Sequence, residues 1–215
     1  IFLCNPNNPT GLLVEKPLLE KILKRCQELD ILMAVDECFL DFVPSPEKYT
    51  LKEYLETYDN LFLLKAFTKR YAMAGVRLGY GLCGNKGLLR KMEGVCQPWN
   101  VSSMAQAAGL AALQEREYVE KGRQVTFQEL AYLKEELAAL GYPVYPSQAN
   151  YVFFTGPADL YEKLEQKKIL IRDCSNYTGL SKGYYRVAVK KHEENQQLVR
   201  ALKEIDRTKV ENVIL

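Results

Sequence analysis

Apolar runs alternate with amphipathic stretches along the first 140 residues of the chain. The runs IFLC at 1–4, ILMAVD at 31–36 and NLFLLKAF at 60–67 are continuously apolar, which is typical of buried strands in a covered parallel sheet. Between the first two, residues 18–29 place apolar side chains at i, i+3, i+4 and i+7, and Pro17 marks a helix start. Strands alternating with helices predict an α/β three-layer sandwich with a mainly parallel sheet.

The pattern becomes shorter and more mixed after Gly141. Before it, we expect a short helix at LKEYLETY, a strand at VRLGYGLCG, a helix near LLRKMEGV and one long helix from about Ser102 to about Leu140. After it, the strand candidates are YPVYP, ANYVFFTG, KKILIRDC and YYRVAVK, with helices at ADLYEKLEQK and 193–204. These segments predict a large domain over 1–125, incomplete at its N-terminus, and a smaller α+β domain over 126–215.

Composition excludes several classes of protein. The 215 residues are 47% hydrophobic and 26% charged, with a net charge of +2, which gives no bulk attraction for nucleic acid. No apolar run approaches the ~18 residues of a membrane span. Six cysteines without a CxxC pair predict reduced thiols in a cytoplasmic protein. The single histidine, His192, has no spaced partners, so we expect no metal.

The chain begins at Ile1, inside an apolar run and without a methionine. A strand that is entered partway through a fold suggests a piece of a longer protein.

Polar residues follow three of the predicted strands. These are Asn7 and Asn8, Asp36, and Thr68 with Lys69. Because ligands of parallel α/β sheets bind at the carboxyl ends of strands, the shared position of these polar residues indicates a binding site more strongly than any one motif does. Taken alone, Asp36 is a turn aspartate or a counter-ion for a protonated ring nitrogen. Lys69 alone is a solvated lysine or a partly desolvated amine that forms a Schiff base.

Three arginines stand in apolar surroundings: Arg77 among glycines, Arg172 in ILIRDC and Arg186 in YYRVAV. A guanidinium in such a setting needs an anion, and its planar fork matches phosphate or carboxylate. A structural ion pair, or an edge-strand arginine that points to water, is the alternative for each.

Four motifs in order, NPNNPTG, VDECF, FTKRYAMAGVRLGYG and YYRVAV, resemble the fold-type I pyridoxal-phosphate enzymes of the class I/II aminotransferase group. The resemblance implies pyridoxal 5'-phosphate as cofactor and a homodimer. By position, Lys69 resembles the lysine that holds the cofactor and moves protons, and Asp36 resembles the carboxylate on the pyridine nitrogen. Asn8 resembles the donor to the phenolic oxygen, Arg77 the phosphate arginine, and Arg186 the arginine on the substrate α-carboxylate.

Two positions depart from the family pattern. Phe39 stands where many members have a tyrosine that reaches the phenolic oxygen, so one hydrogen bond is missing. Ala66 replaces a serine near the cofactor phosphate, a loss for which Thr68 would compensate.

Finer features resemble the branch of L-threonine-O-3-phosphate decarboxylases, towards which Phe39, Trp99 and the pair Tyr184–Tyr185 point. The alternative is the neighbouring branch of histidinol-phosphate aminotransferases. Either implies a small phosphorylated substrate, with Arg172 on its phosphate and with Asn8 and Asn150 helping to hold it. A non-catalytic fragment, a binding module or the cofactor-sensing domain of a regulator is the alternative from another class.

Overall fold

The computed structural model describes the backbone of residues 1–214 and the side chains of residues 1–207. Side chains from residue 208 onward, in the TKVENVIL segment that carries no functional signal, lie outside the described residues. The chain forms two compact units: Ile1–Asn7 with Leu13–Gly122, and Asn8–Leu12 with Arg123–Leu215. The predicted domain boundary after residue 125 stays a prediction.

The first unit is built on a four-stranded sheet. Its strands are β1 (Phe2–Cys4), β2 (Met33–Asp36), β3 (Leu61–Ala66) and β4 (Gly79–Cys83), in the order β1-β2-β3-β4. The first three are parallel, and β4 is antiparallel to β3. Helix α1 (Lys16–Glu28) buries Leu19, Leu23 and Cys26 in one cluster with the apolar residues of β2 and β3. The apolar runs therefore form a mainly parallel sheet, as expected.

Three local expectations for the first unit are wrong. Phe2 of β1 is 81% exposed rather than buried. Only a 3₁₀ turn at Lys52–Tyr54 forms where LKEYLETY predicts a helix. The strand predicted at VRLGYGLCG begins only at Gly79, so Arg77 precedes β4, and its backbone is left-handed with φ of +56°.

The remaining helices of the first unit are α2 (Phe67–Arg70), α3 (Lys86–Val95), α4 (Ser103–Ala112) and the start of α5 (Arg116–Ala139). The single helix predicted from about Ser102 to about Leu140 is therefore two helices. Ser102 caps α4, because its Oγ accepts a hydrogen bond from the backbone N–H of Ala105 at 3.1 Å. Bonds of the i→i−3 type tighten the chain at Gln114 and Glu115 and end α4. No proline or glycine marks this break.

The second unit holds a three-stranded antiparallel sheet in the order β5-β7-β6, made of β5 (Tyr151–Thr155), β6 (Arg172–Asp173) and β7 (Tyr184–Ala188). One sheet face packs on helices α5, α6 (Leu160–Gln166) and α7 (His192–Ile214). The predicted strand at YPVYP is reduced to one bridge, Val144 to Phe154. None of the described helices combines the length and the apolar character that crossing a membrane requires.

Candidate functional site

Asp36 ends β2 and is half-buried. Its Oδ1 accepts a hydrogen bond from the backbone N–H of Cys38 at 2.9 Å, which fixes the carboxylate on the turn that leaves the strand. The same carboxylate acts on the Cys38 thiol. Burial, then the hydrogen bond and charge of Asp36, raise the pKa of Cys38 to about 12, because an anion is disfavoured both in low dielectric and beside a carboxylate.

A buried polar cluster, the Glu37 cluster, lies beside Asp36. Glu37 is fully buried, and its carboxylate accepts hydrogen bonds from Thr50 Oγ1 at 2.9 and 3.0 Å and from the backbone N–H of Leu51 at 3.2 Å. Lys65 Nζ of β3 lies 2.8 Å from Glu37 Oε2. Because a buried carboxylate is costly unless it is paired and hydrogen-bonded, these contacts explain how an acidic residue stands in the core.

Lys69 lies in the single turn α2, directly after β3. It is exposed, and its Nζ stands 5.3 Å from the centroid of the Phe39 ring, within cation–π range. Among the side chains that the structure describes, no carboxylate pairs with Lys69. Ala66 is the N-cap of α2 and makes no side-chain cap, whereas the serine of the family pattern would place a hydroxyl at this position. Thr68 is half-buried in the same turn.

Arg77 is exposed and donates from Nη1 to the backbone carbonyl of Ala74 at 3.3 Å. A left-handed backbone is uncommon for a residue with a Cβ, and such outliers cluster at ligand sites. No carboxylate within the described part of the chain neutralises its guanidinium, so an anion from outside the chain remains compatible with it.

In the second unit, Asn8 and Arg186 are brought together from opposite ends of the sequence. Asn8 Oδ1 accepts a hydrogen bond from Arg186 Nη1 and another, at 3.4 Å, from Tyr177 Oη. The Arg186 guanidinium also lies 5.0 Å from the centroid of the Tyr151 ring. Because both donors use the amide oxygen, the amide nitrogen Nδ2 of Asn8 is left to donate a hydrogen bond to a ligand.

Arg172 lies directly opposite Arg186 on the neighbouring strand, where their Cα atoms are register partners. Residues opposite each other in an antiparallel pair share one face of the sheet, and like charges there repel. Arg172 Nη2 donates to Asn176 Oδ1 at 2.8 Å, and its guanidinium lies 5.7 Å from the Tyr177 ring centroid. These two residues, the arginine pair, form a concentrated positive charge suited to anionic groups.

Asn150 precedes β5 and is half-buried. Its Oδ1 is buried without a hydrogen-bond partner, which is unusual for a polar atom in a protein interior. Because this oxygen is inaccessible, it gives no support for the predicted substrate role of Asn150, which stays a prediction.

Sequence reasoning missed several residues of these groups. The lone cation of the run LFLLKAF, Lys65, was a usable signal for a buried ion pair. Tyr177 and Asn176 gave no signal in the sequence, because they lie in a loop whose contacts depend on the sheet register. Asp36 ends β2 and Lys69 follows β3, as predicted, and no hydrogen bond or ion pair joins them among the described residues.

Comparison with known proteins identifies the family. The model of "Aminotransferase class I and II" matches residues 1–202. The chain belongs to this family. It is 37% identical over 209 residues to a threonine-phosphate decarboxylase of Salmonella typhimurium, covering 95% of the chain and 57% of that protein. The chain thus spans a little over half the length of this curated relative.

Two solved structures agree on the fold. The histidinol-phosphate aminotransferase of Clostridium acetobutylicum superposes with a TM-score of 0.91 at 31% identity, covering 96% of this chain and 64% of that one. That of Sinorhizobium meliloti, solved in complex with pyridoxal-5'-phosphate, gives 0.83 at 23% identity, with coverages of 96% and 57%. The predicted fold class is confirmed, and the family is one of pyridoxal-phosphate-dependent enzymes.

The donor set of the chain fits this cofactor. In the first unit, Asp36 offers a carboxylate of the kind that pairs with a pyridine nitrogen, and Lys69 offers an amine without a carboxylate partner among the described residues. In the second unit, taken by itself, Asn8 offers an amide nitrogen. Arg77 offers a guanidinium for a phosphate.

Proposed function

We propose that this chain is the greater part of a pyridoxal-phosphate-dependent L-threonine-O-3-phosphate decarboxylase, which forms (R)-1-amino-2-propanol phosphate for cobalamin biosynthesis. We include in the proposal a cytoplasmic location and a homodimeric whole protein. The observation that carries the proposal is the arginine pair, Arg172 opposite Arg186 on adjacent strands. Two guanidinium groups on one sheet face match a single small molecule that carries both a phosphate and a carboxylate.

The substrate roles follow from that match. Arg172 binds the substrate phosphate and Arg186 binds the α-carboxylate, while Asn8 holds Arg186 through its amide oxygen. Asn150, which directly precedes β5, helps to hold the bound substrate. Two charged contacts on one molecule set its tilt, and the tilt decides which bond at Cα is broken.

The cofactor roles are carried by other residues. Bound pyridoxal phosphate supplies a sink for the electron pair that remains when a bond at Cα breaks. Asp36, held by the Cys38 N–H, would keep a proton on the ring nitrogen of the bound cofactor, and Asn8 would donate from Nδ2 to its phenolic oxygen. Lys69 holds the cofactor and delivers to Cα the proton that replaces the departing CO₂. Arg77 and Thr68 bind the cofactor phosphate.

Product analysis tests the proposal. The purified protein, supplied with pyridoxal phosphate and O-phospho-L-threonine, is expected to release one CO₂ for each 1-amino-2-propanol phosphate formed. Borohydride treatment followed by mass spectrometry is expected to find the cofactor fixed on the native chain and absent from Lys69→Ala. Lys91→Ala, a change of the same kind on α3, is the control and should retain the label. A labelled Lys69→Ala protein would show that the lysine assignment is wrong.

The second candidate is a histidinol-phosphate aminotransferase, which the 0.91 TM-score with such an enzyme favours. An aminotransferase would use the arginine pair for a phosphate substrate and a dicarboxylate in turn. Amino transfer from histidinol phosphate to 2-oxoglutarate, without CO₂, would support it and reject the decarboxylase. A protein that binds the cofactor and turns over neither substrate would instead support a binding module.

A further inference from the structure

Tyr177 lies in the loop between β6 and β7, and its backbone is held on both sides. Its N–H donates to the carbonyl of Cys174 at 3.1 Å, and its own carbonyl accepts from the N–H of Leu180 at 3.0 Å. The side chain is half-buried. An aromatic ring on a fixed backbone has few rotamers, so its position is defined before any ligand arrives.

The two ends of this side chain contact the two arginine networks. The ring faces the Arg172 guanidinium at 5.7 Å. The hydroxyl donates to Asn8 Oδ1, the same oxygen that receives Arg186 Nη1. Tyr177 thus links two cations that would otherwise repel each other across adjacent strands.

The link matters because both arginines have long, flexible side chains. Ordering such side chains at the moment of binding weakens affinity, whereas ordering them beforehand strengthens it. A tether between the two guanidinium groups also selects ligands whose anionic groups have a matching separation. A ligand with one anionic group uses a single arginine and gains little from the tether.

We propose that Tyr177 is a specificity-determining positioning residue, which sets the separation of Arg172 and Arg186 so that they bind the phosphate and the carboxylate of one molecule together. This inference rests on the proposed function, because it takes that arginine pair as the substrate-binding groups.

The test compares two ligands on three variants by calorimetry, on protein whose bound cofactor has been fixed by borohydride. The residues assigned to the cofactor phosphate are then occupied, and the substrate is not turned over. The ligands are O-phospho-L-threonine, which carries both groups, and inorganic phosphate, which is a single anionic group. Tyr177→Phe removes the hydroxyl, Tyr177→Leu also removes the ring, and Tyr118→Phe on α5 is the matched control at an exposed tyrosine.

For O-phospho-L-threonine, we expect Tyr177→Phe to raise the dissociation constant about 2–3-fold, because a hydrogen bond of 3.4 Å is at the weak end of its range. Tyr177→Leu should raise it about 5–10-fold, since the cation–π contact is lost as well. Inorganic phosphate should change by less than about 2-fold in both variants, because one arginine suffices for it. Tyr118→Phe should match the wild type for both ligands.

Three results would overturn the inference. They are unchanged O-phospho-L-threonine binding in Tyr177→Leu, an equal loss for both ligands, and no binding of either ligand by the wild type. Turnover of O-phospho-L-threonine by the protein with cofactor is measured separately. A wild type that binds this compound in a Tyr177-dependent way without decarboxylating it would leave the positioning role intact and reject the proposed function.

Discussion

Replacing Lys65 by methionine is expected to destabilise the first unit strongly. The side chain is 16% exposed and its partner, Glu37, is fully buried, so the substitution leaves a buried carboxylate without its counter-ion. Removing one member of a buried pair costs about 3–5 kcal/mol. Since the hydrogen bonds from Thr50 and Leu51 remain, we place the loss near the lower end, at about 3 kcal/mol.

Urea unfolding followed by circular dichroism measures this loss, and a thermal melt should show it as a decrease in Tm of roughly 6–12 °C. The control is Lys163→Met, which breaks the pair with Asp159 at 2.7 Å, where the two side chains are 37% and 58% exposed. An exposed pair of this kind contributes about 0–1 kcal/mol. The two pairs have nearly equal lengths, so the difference in burial is what the comparison isolates.

The double variant Glu37→Gln/Lys65→Met sharpens the test. It removes the buried carboxylate charge that has lost its counter-ion, and the amide of the new glutamine still offers an acceptor to Thr50 Oγ1. We therefore expect it to be more stable than Lys65→Met alone. A Lys65→Met protein no less stable than Lys163→Met, or a double variant less stable than Lys65→Met, would refute the reasoning.

Two further predictions concern backbone and thiol. Gly11 has φ of +70°, and an added Cβ would lie 1.9 Å from Ser147 Oγ, so Gly11→Ala should lower the free energy of unfolding by more than about 1 kcal/mol. Gly94 lies in helix α3 with open space around it, so Gly94→Ala should raise the free energy of unfolding by about 0.5–1 kcal/mol. Urea unfolding should show changes of opposite sign, and changes of equal sign would contradict these backbone roles of the two glycines. Because the pKa of Cys38 is raised to about 12, iodoacetamide should label it more slowly at pH 8 than it labels exposed Cys96, with a Cys38 rate that rises as pH approaches about 12. Since the unfolded thiol ionises first, this group's contribution to stability is present below about pH 9 and is lost as the pH rises towards about 12, and equal labelling of the two thiols would contradict the prediction.

The sheet of the first unit could be predicted because its strands are continuous apolar runs that end in polar residues. For that reason Asp36 ends β2 and Lys69 follows β3. The ion pair of Lys65 with Glu37 could not be derived in the same way. It depends on the pairing register of β2 with β3, in which Asp36 is opposite Leu64, and periodicity within one strand does not determine register between two.

The arginine pair shows the same limit in the second unit. The sequence marks Arg172 and Arg186 as cations in apolar runs, but their opposition follows from how β6 pairs with β7. The break between α4 and α5 was missed for a local reason. Its residues, Leu113 to Glu115, are all compatible with a helix, and the i→i−3 bonds that end α4 leave no mark in composition.

The contact between Asn8 and Arg186 has a consequence for the order of events on the ribosome. The two residues are 178 positions apart, so Asn8 is synthesised well before its partner. At roughly 5–20 residues per second, the interval between their syntheses is about 9–36 s. Throughout that interval the segment Asn8–Leu12 has been made, whereas the strand that carries Arg186 has not. The second unit can therefore be completed only after β7 has been made, by capture of a segment made 178 positions earlier.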